Sequence, residues 1–272
     1  MLVRRSALSK GGSGKDLSDG WVINFAVGCT HGCLFCYVDR IWRLHSKNRL
    51  SPYYGLRLAD WGQYLYVPSD LEEQIKRTSW QRWSGVRVLM SSAHDPYLPG
   101  LYFPNKWPRR ILEAALPHGV KFTILTRSVL ATQDFDLYTK YRSQIVLMSS
   151  IPSLDREFVR ITEPWAPPPV ARFSMLRRVK ELGVEVGVVV APIIVRPGWR
   201  EDLERLFEAL AELRPAVVYG ESLHIRGLNL ARLRAAGVEA DLDPAADREA
   251  GRLFEELLRR HGLRRAYWYE YG

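Results

Sequence analysis

The sequence predicts an α/β barrel, complete or partial, and three observations predict it. Short apolar runs alternate with helical patterns about six times, which is typical of parallel strands joined by right-handed crossover helices. The apolar runs are rich in β-branched residues and nearly continuous, as in strands buried on both faces. The 272 residues, 47% of them hydrophobic, suffice for one large core, and no shift in composition indicates a second domain.

Each predicted strand but the last is followed by a predicted helix. The predicted strands cover residues 21–27, 86–92, 120–126, 144–150, 184–194, 216–223 and 265–271. The predicted helices cover residues 33–47, 106–118, 134–141, 171–183, 200–213 and 244–262. Apolar residues recur in the helices at three- and four-residue spacing, most clearly at Leu203, Leu206, Phe207, Leu210 and Leu213.

The two ends of the chain differ in character. Residues 1–18 are rich in Gly, Ser, Lys and Arg and are predicted to be a flexible basic leader. Residues 19–272 are predicted to form a single barrel domain that ends in a helix and a strand. The leader lacks the apolar stretch of a signal peptide, and no apolar run reaches the roughly 18 residues that span a bilayer. We therefore expect a cytoplasmic protein without a membrane partner.

The net charge of +9 has two interpretations. A basic surface favours polyanionic partners, nucleic acid first. An arginine-rich, heat-adapted surface would have the same charge. Aromatic and basic residues interleave around Trp42, Trp80, Trp83 and Trp107, a pattern that suits base stacking beside phosphate contacts. Core tryptophans on amphipathic helices give the same pattern, so the charge and the tryptophans leave both interpretations open.

All three cysteines lie in "AVGCTHGCLFCYVDR", at a C-x3-C-x2-C spacing. An odd number of clustered thiols in a cytoplasmic chain argues against disulfides and favours a metal. Cys29 follows the first predicted strand, which places the thiols at the catalytic end of a barrel. One alternative is a zinc ion with His31 as the fourth ligand. The other is a [4Fe–4S] cluster held by three thiolates, with one iron open to a substrate or cofactor.

The pattern of Cys29, Cys33, Phe35 and Cys36 resembles the C-x3-C-x-aromatic-C motif of the radical S-adenosylmethionine (radical SAM) superfamily. The later segments "SSAHDPYLP", "ILTRS", "QDFDLY", "SSIPSLD" and "EPWAPPPVARFSMLRRVKELG" are similar, in that order, to its spore photoproduct lyase-like branch, described as DNA-repair-photolyase-like. The resemblance implies a partial (β/α)6 barrel of the TIM type. It also implies that the three cysteines bind a [4Fe–4S] cluster whose fourth iron chelates SAM. An electron from a donor such as flavodoxin or ferredoxin would then cleave SAM to a 5′-deoxyadenosyl radical, which abstracts hydrogen from a substrate.

The resemblance also implies a set of SAM contacts. Phe35 and Tyr37 match the adenine side, Arg127 matches the position of a basic residue for the SAM carboxylate, and the remaining candidates are polar residues at strand ends. Those candidates are Ser92, His94 and Asp95 for the amino end of SAM, and Ser149 and Ser150 for its ribose or carboxylate. Each has a structural alternative; Asp95, for example, could start a turn with Pro96. His224 and Glu163 are candidates for substrate contact, with a structural histidine and a salt bridge to a nearby arginine as their alternatives.

The sequence departs from spore photoproduct lyase at one position that matters for its chemistry. That enzyme uses an extra cysteine near the end of the second strand as a hydrogen-atom donor, whereas this chain has "VLMSSAHD" there and no cysteine outside the motif. The same count leaves no thiols for an auxiliary cluster. We therefore expect a radical SAM enzyme with a different reaction, acting on a nucleic acid or nucleoside. The competing functions are a non-enzymatic zinc- or cluster-containing nucleic-acid-binding protein and a cluster-bearing regulator.

Overall fold

The computed structural model describes residues 2–5, 17–56, 60–100 and 102–269, and its strands form one large sheet and a small ribbon. In chain order the strands are β1 (Val3–Arg5), β2 (Trp21–Ile23), β3 (Val27–Gly28), β4 (Leu65–Tyr66), β5 (Arg87–Met90), β6 (Lys121–Thr126), β7 (Ile145–Ser150), β8 (Glu185–Ile193), β9 (Val217–Ser222) and β10 (Arg265–Tyr269). The large sheet has the order β1-β2-β5-β6-β7-β8-β9-β10. All its neighbours pair in parallel except β1, which runs antiparallel to β2 at the edge.

Helices connect the parallel strands. Those in the described residues are α1 (Val38–Lys47), α2 (Leu71–Arg77), α3 (Tyr102–Ala115), α4 (Phe135–Lys140), α5 (Arg156–Thr162), α6 (Pro169–Glu181), α7 (Trp199–Leu213), α8 (Asn229–Ala235) and α9 (Pro244–Arg260). None of the helices in this part of the chain is long and apolar enough to cross a membrane.

The two faces of the sheet bury different sets of side chains. One face packs against the helices and includes the apolar stripe of α7, so it forms the main core. The other face contributes Val22, Leu89, Met148 and Tyr219 to a second, smaller cluster. Strands from β2 to β9 share this cluster, so the sheet must curve around it. This arrangement confirms the predicted α/β fold class, a partial barrel.

Most predicted elements are present with shifted ends, and three predictions are wrong in part. Residues 2–5 were expected in a flexible leader, but Val3–Arg5 pairs with β2, and Leu2 and Val3 are buried in the main core. The helix predicted over 33–47 begins only at Val38, because 33–37 form a loop held by contacts from other elements. The first predicted strand, 21–27, is split between β2 and β3. Residues 270–271 of the last predicted strand lie outside the described residues.

Candidate cofactor site at the cysteine loop

The three thiols lie on residues 29–37, here called the cysteine loop, between β3 and α1. Cys29 and Cys33 are buried and Cys36 is partly buried. Gly28 precedes the loop with φ +101°, and a Cβ there would overlap the ring and carbonyl of Tyr64. Only glycine adopts this backbone without strain. The β3–β4 ribbon can therefore pack closely and direct the chain into the loop.

Side chains from distant elements hold the backbone of the cysteine loop. Four successive carbonyls accept hydrogen bonds from three side chains: Cys33 O from Trp61 Nε1 at 2.9 Å, Leu34 O from Arg232 Nε at 3.0 Å, Phe35 O from Asn229 Nδ2 at 2.9 Å, and Cys36 O from Arg232 Nη2 at 2.6 Å. The loop has no regular secondary structure. Cys33 O also accepts from Cys36 N at 3.1 Å, whereas the bonds to the next three carbonyls pair groups that would otherwise lack a partner. The shape of the loop is thus fixed by protein contacts alone.

The thiols face an apolar environment. Cys33 and Phe35 pack in one buried cluster with Phe158, Ile194 and Leu223. Burial raises the pKa of Cys29 to about 12, with the nearby Asp95 carboxylate adding to the effect, and burial raises the pKa of Cys33 well above its usual value. Arg127 opposes the shift at Cys33. Three soft donors on one loop, screened from water, suit an iron–sulfur cluster, whose iron atoms would displace the thiol protons.

His31 does not have the orientation that the zinc alternative requires. Its Nε2 lies 3.2 Å from Asp95 Oδ2 and its Nδ1 lies 3.3 Å from the carbonyl of Trp165. Both ring nitrogens therefore face protein groups other than the thiols. Among the described residues, no group of three His, Cys, Asp or Glu side chains is arranged around a single metal ion.

Asp95 joins the loop after β5 to the end of β6. Its Oδ1 accepts hydrogen bonds from Tyr97 N at 2.9 Å and Thr126 Oγ1 at 2.6 Å, and its Oδ2 accepts from Arg127 N at 2.7 Å. Burial alone would raise the pKa of Asp95, but His31 and these donors outweigh it and lower that pKa. The bond to Tyr97 is the turn that the sequence offered as the structural alternative. Asp95 thus anchors His31 and Arg127 at the same end of the sheet.

Arg127 belongs to a buried ion-pair network. Its Nε donates to Glu163 Oε1 at 3.1 Å, its Nη2 lies 3.3 Å from Ala191 O, and its Cζ is 5.3 Å from the centre of the Phe35 ring. The other oxygen of Glu163 pairs with Arg172, and the side chains of Glu163 and Arg172 are both fully buried. Arg172 also donates to Ser150 O at 2.8 Å. Glu163 therefore makes the salt bridge foreseen as its structural alternative, and it fixes Arg127 beside Phe35.

The other predicted SAM contacts lie at the same end of the barrel, but several use their polar atoms internally. Tyr37 Oη donates to Ser92 O at 3.2 Å, and Ser92 N donates to Asn24 Oδ1 at 2.8 Å. His94 Nε2 accepts from Ala26 N at 3.2 Å and its Nδ1 lies 2.9 Å from Asp95 O. Burial lowers the pKa of His94 to about 4, so its imidazole is neutral. Ser149 Oγ donates to Thr126 O at 2.8 Å.

A second polar pair lies at the carboxyl end of β9. His224 Nε2 is 2.9 Å from Glu221 Oε1, and the His224 carbonyl accepts from Asn229 Nδ2 at 2.7 Å. Glu221 follows Tyr219 by two residues, so it extends from the same face of β9 as the inner cluster. Burial raises the pKa of Tyr37, and the charges of Cys36 and Glu221 add to this shift. The pair therefore faces the end of the barrel that carries the cysteine loop.

The four tryptophans that interleave with basic residues are core residues or pack against the core. Trp42, Trp80 and Trp107 are at most 5% exposed. Trp83 is partly buried and packs edge-on against Trp21, with 4.6 Å between ring centres. The three buried rings cannot stack on bases, and the Trp83 ring is engaged with Trp21. The charged residues beside them, rather than the rings, are what the surface presents.

Several residues at this site carry no signal in the sequence. Trp61, Asn229 and Arg232 hold the cysteine loop but belong to no motif, and Asn24 is an isolated polar residue after β2. Lone residues of these types are common on protein surfaces. Only the fold shows that they converge on the loop.

Comparisons with known proteins agree with this geometry. The family model of the radical SAM superfamily matches residues 23–210. An uncharacterized protein, ORF301, of Acidianus two-tailed virus is 47% identical over 277 residues, covering 99% of this chain and 90% of that protein. The fold is similar to spore photoproduct lyase complexed with dinucleoside spore photoproduct, with a TM-score of 0.65 and 17% identity over 92% of this chain and 77% of that one. It is also similar to Streptococcus suis SuiB bound to S-adenosylmethionine, with a TM-score of 0.60 and 15% identity over 90% of this chain and 49% of that one. The chain therefore belongs to the radical SAM superfamily, whose members are enzymes that use a [4Fe–4S] cluster and S-adenosylmethionine.

Proposed function

We propose that Cys29, Cys33 and Cys36 hold the [4Fe–4S] cluster and that this chain is a radical SAM enzyme acting on a nucleic acid or nucleoside. The observation that carries the proposal is three thiols, two buried and one partly buried, on one loop whose backbone is fixed by side chains from other elements. When bound and reduced, the cluster and SAM supply the 5′-deoxyadenosyl radical that abstracts a hydrogen atom. The protein's own part is to hold SAM and substrate and to keep water away.

For the SAM site we propose three groups of residues. Arg127, Phe35 and Tyr37 would contact SAM: the guanidinium suits a carboxylate, and the rings suit the adenine face. His94, Asp95 and Ser149 would shape the site without touching SAM, because their hydrogen-bonding atoms already have protein partners. Ser92 and Ser150 would lie between these groups, since each offers its carbonyl to a neighbour of the site.

For the substrate we propose phosphate recognition by the outer face of α1. Arg40, Arg43 and Lys47 are exposed and are spaced by three and four residues, so they share one face of the helix that follows the cysteine loop. In the described part of the chain, none of the three forms a salt bridge. A nucleic acid strand on this face would place its bases toward the barrel end. Spore photoproduct lyase, a structural neighbour, is known with a bound dinucleoside, whereas SuiB is known with a precursor peptide.

Spore photoproduct repair is not part of the proposal. That reaction in its name-giving enzyme employs an additional cysteine, and this chain has three cysteines, all in the cysteine loop. We propose that the hydrogen is abstracted from another position of the nucleotide, and that the reducing equivalent comes from a flavodoxin or ferredoxin.

The first experiment is anaerobic reconstitution with iron and sulfide, followed by dithionite and SAM. We expect about four irons per chain and formation of 5′-deoxyadenosine, increased by single-stranded DNA, RNA or nucleosides. Colourless protein with one zinc ion would refute the proposed cluster. A loaded cluster that yields 5′-deoxyadenosine only with peptides would refute the proposed substrate class.

The second experiment measures oligonucleotide binding as a function of salt. Replacing Arg40, Arg43 and Lys47 with glutamine should weaken binding and reduce the slope of log K against log salt by about three. The matched control replaces Arg248, Arg252 and Arg259, which lie on α9 at helical spacing, and should leave the slope unchanged. Equal slopes for the two triple variants would remove α1 from the proposed nucleic-acid surface.

A further inference from the structure

We infer that Asn229 and Arg232 of α8 are positioning residues for the thiols, and that they tie the cysteine loop to the Glu221–His224 pair. The consequence for the cluster rests on the proposed function; the consequence for the loop itself does not. Neither residue belongs to the cysteine motif, and both lie almost 200 residues after it.

Arg232 directs three of its nitrogens at three different acceptors of one segment. Nε donates to Leu34 O at 3.0 Å, Nη2 donates to Cys36 O at 2.6 Å, and Nη1 donates to Asp39 Oδ2 at 3.1 Å. The planar, forked guanidinium spans these acceptors in a way that a lysine ammonium cannot. Bonds from a charged donor are stronger than neutral ones. Arg232 therefore fixes both ends of the Leu34–Cys36 segment at once.

Asn229 bonds the remaining carbonyl and connects it to the barrel end. Its amide is fully buried, and Nδ2 donates to Phe35 O at 2.9 Å and to His224 O at 2.7 Å, while Oδ1 accepts from Arg226 N at 3.1 Å. Both halves of the amide are used. An aspartate of the same size would lose the two donated bonds and place a carboxylate against two carbonyls.

The start of α8 is itself docked on α1. Asp39 is buried and accepts from Leu228 N at 3.0 Å as well as from Arg232. Gly227 has φ +62°, and a Cβ there would overlap the Asp39 carboxylate. The approach is so close that only glycine fits. The segment 226–232 and the helix after the cysteine loop thus form one rigid contact.

These contacts predict that α8 controls how often the cysteine loop opens. The fraction of molecules in which local opening exposes buried groups falls exponentially as the free energy that holds the segment closed rises. Removing Arg232 takes the donor from two carbonyls and one of the donors from the Asp39 carboxylate, so the open fraction should rise about tenfold or more. A residue that only added to overall stability would leave local opening under native conditions nearly unchanged.

The test uses the metal-free protein, with Ellman's reagent in excess and far-UV circular dichroism to confirm folding. We expect the thiols of the Arg232→Ala and Asn229→Asp variants to be modified about tenfold or more faster than those of the wild type. The rate for Arg232→Lys should lie between the rates for the wild type and Arg232→Ala. The rate should depend little on low urea concentrations, which marks local rather than global opening. The matched control is Arg177→Ala, which removes an exposed arginine paired with Glu212. Unchanged thiol rates in folded Arg232→Ala and Asn229→Asp would overturn the inference.

A second readout separates this inference from the proposed function. Reconstituted Arg232→Ala should hold less iron and give an altered electron paramagnetic resonance spectrum, whereas Arg177→Ala should match the wild type. If no variant, wild type included, holds iron but thiol rates rise as expected, the positioning role stands and the cluster assignment fails. If the wild type holds iron and the Arg232→Ala spectrum, iron content and thiol rates are unchanged, the positioning role fails alone.

Discussion

Replacing Glu163 by glutamine tests the buried ion-pair network. Glu163 and Arg172 are fully buried, and Arg127 has a side chain 20% exposed. The Glu163→Gln change keeps the volume but removes the negative charge that faces two guanidinium groups. Removing one partner of a buried pair costs about 3–5 kcal/mol, since the remaining charge is left without compensation. Because folded proteins are stable by about 5–15 kcal/mol, the variant should lose a large part of its free energy of unfolding.

The assay is urea unfolding at pH 7, followed by far-UV circular dichroism on the metal-free protein. Glu212→Gln is the matched control: Glu212 is 74% exposed and pairs with the exposed Arg177, so its loss should cost less than about 1 kcal/mol. The reasoning would be refuted if the free energy of unfolding of Glu163→Gln lay within about 1 kcal/mol of the wild-type value, which is the scale of an exposed pair. It would mean that backbone carbonyls suffice for Arg127 and Arg172.

The pH dependence provides a second check on the same pair. Burial alone would raise the pKa of Glu163, but Arg172 and Arg127 outweigh it and hold that pKa below its ordinary value. In acid, the unfolded chain therefore binds a proton that the folded chain resists. The stabilisation is present above the ordinary glutamate pKa and is lost as the pH falls through the lowered one. The difference in stability between the wild type and Glu163→Gln should shrink over that acidic range.

Three further predictions concern the cofactor residues and His94. Cys33→Ala should abolish iron binding but preserve the far-UV spectrum, because the loop backbone is held by Trp61, Asn229 and Arg232; retained SAM cleavage would contradict the cluster assignment. Arg127→Ala should weaken SAM binding about tenfold or more, as expected for the loss of one charged hydrogen bond, and should not remove iron. An unchanged SAM affinity, measured by calorimetry, would exclude Arg127 from the site. The pKa of His94 is about 4 in the folded chain and 6.5 ordinarily, so the unfolded chain binds a proton more readily in this interval. The free energy of unfolding should therefore fall by about 3 kcal/mol as the pH drops across it. His94→Gln should flatten this part of the stability curve, and an unchanged curve would contradict the assignment of a buried neutral imidazole.

The fold could be predicted from the sequence because its signals are local and repeated. The apolar stripe of α7 and the runs that became β6, β7 and β8 are visible within a few residues. Cys29, Cys33 and Cys36 stand out for the same reason: the ligands of one centre lie within eight residues.

The partners of the site could not be predicted, because they depend on tertiary contacts. Asn229 and Arg232 sit on a seven-residue helix without a motif, and Trp61 lies within a turn closed by Gln63 N and Asp60 O. The tryptophans gave a sequence signal for base stacking that the fold does not support. Trp42 sits between basic residues in sequence, yet helical periodicity turns its ring inward while Arg40 and Arg43 face outward. Neighbours in sequence point to different sides of a helix, so composition alone could not assign a surface.

The three-residue edge strand β1 has a practical consequence for anyone who shortens this chain. Val3 pairs with Ile23 and Arg5 with Trp21, and the guanidinium of Arg5 lies 4.1 Å from the centre of the Trp21 ring. Deleting residues 1–5 would leave the free hydrogen-bonding edge of β2 uncovered, together with an apolar surface that Leu2 and Val3 now cover. Bare strand edges recruit other strands, while short edges with exposed charges resist this. A version trimmed at its amino terminus for crystallisation should therefore aggregate, and a version that keeps these residues should not.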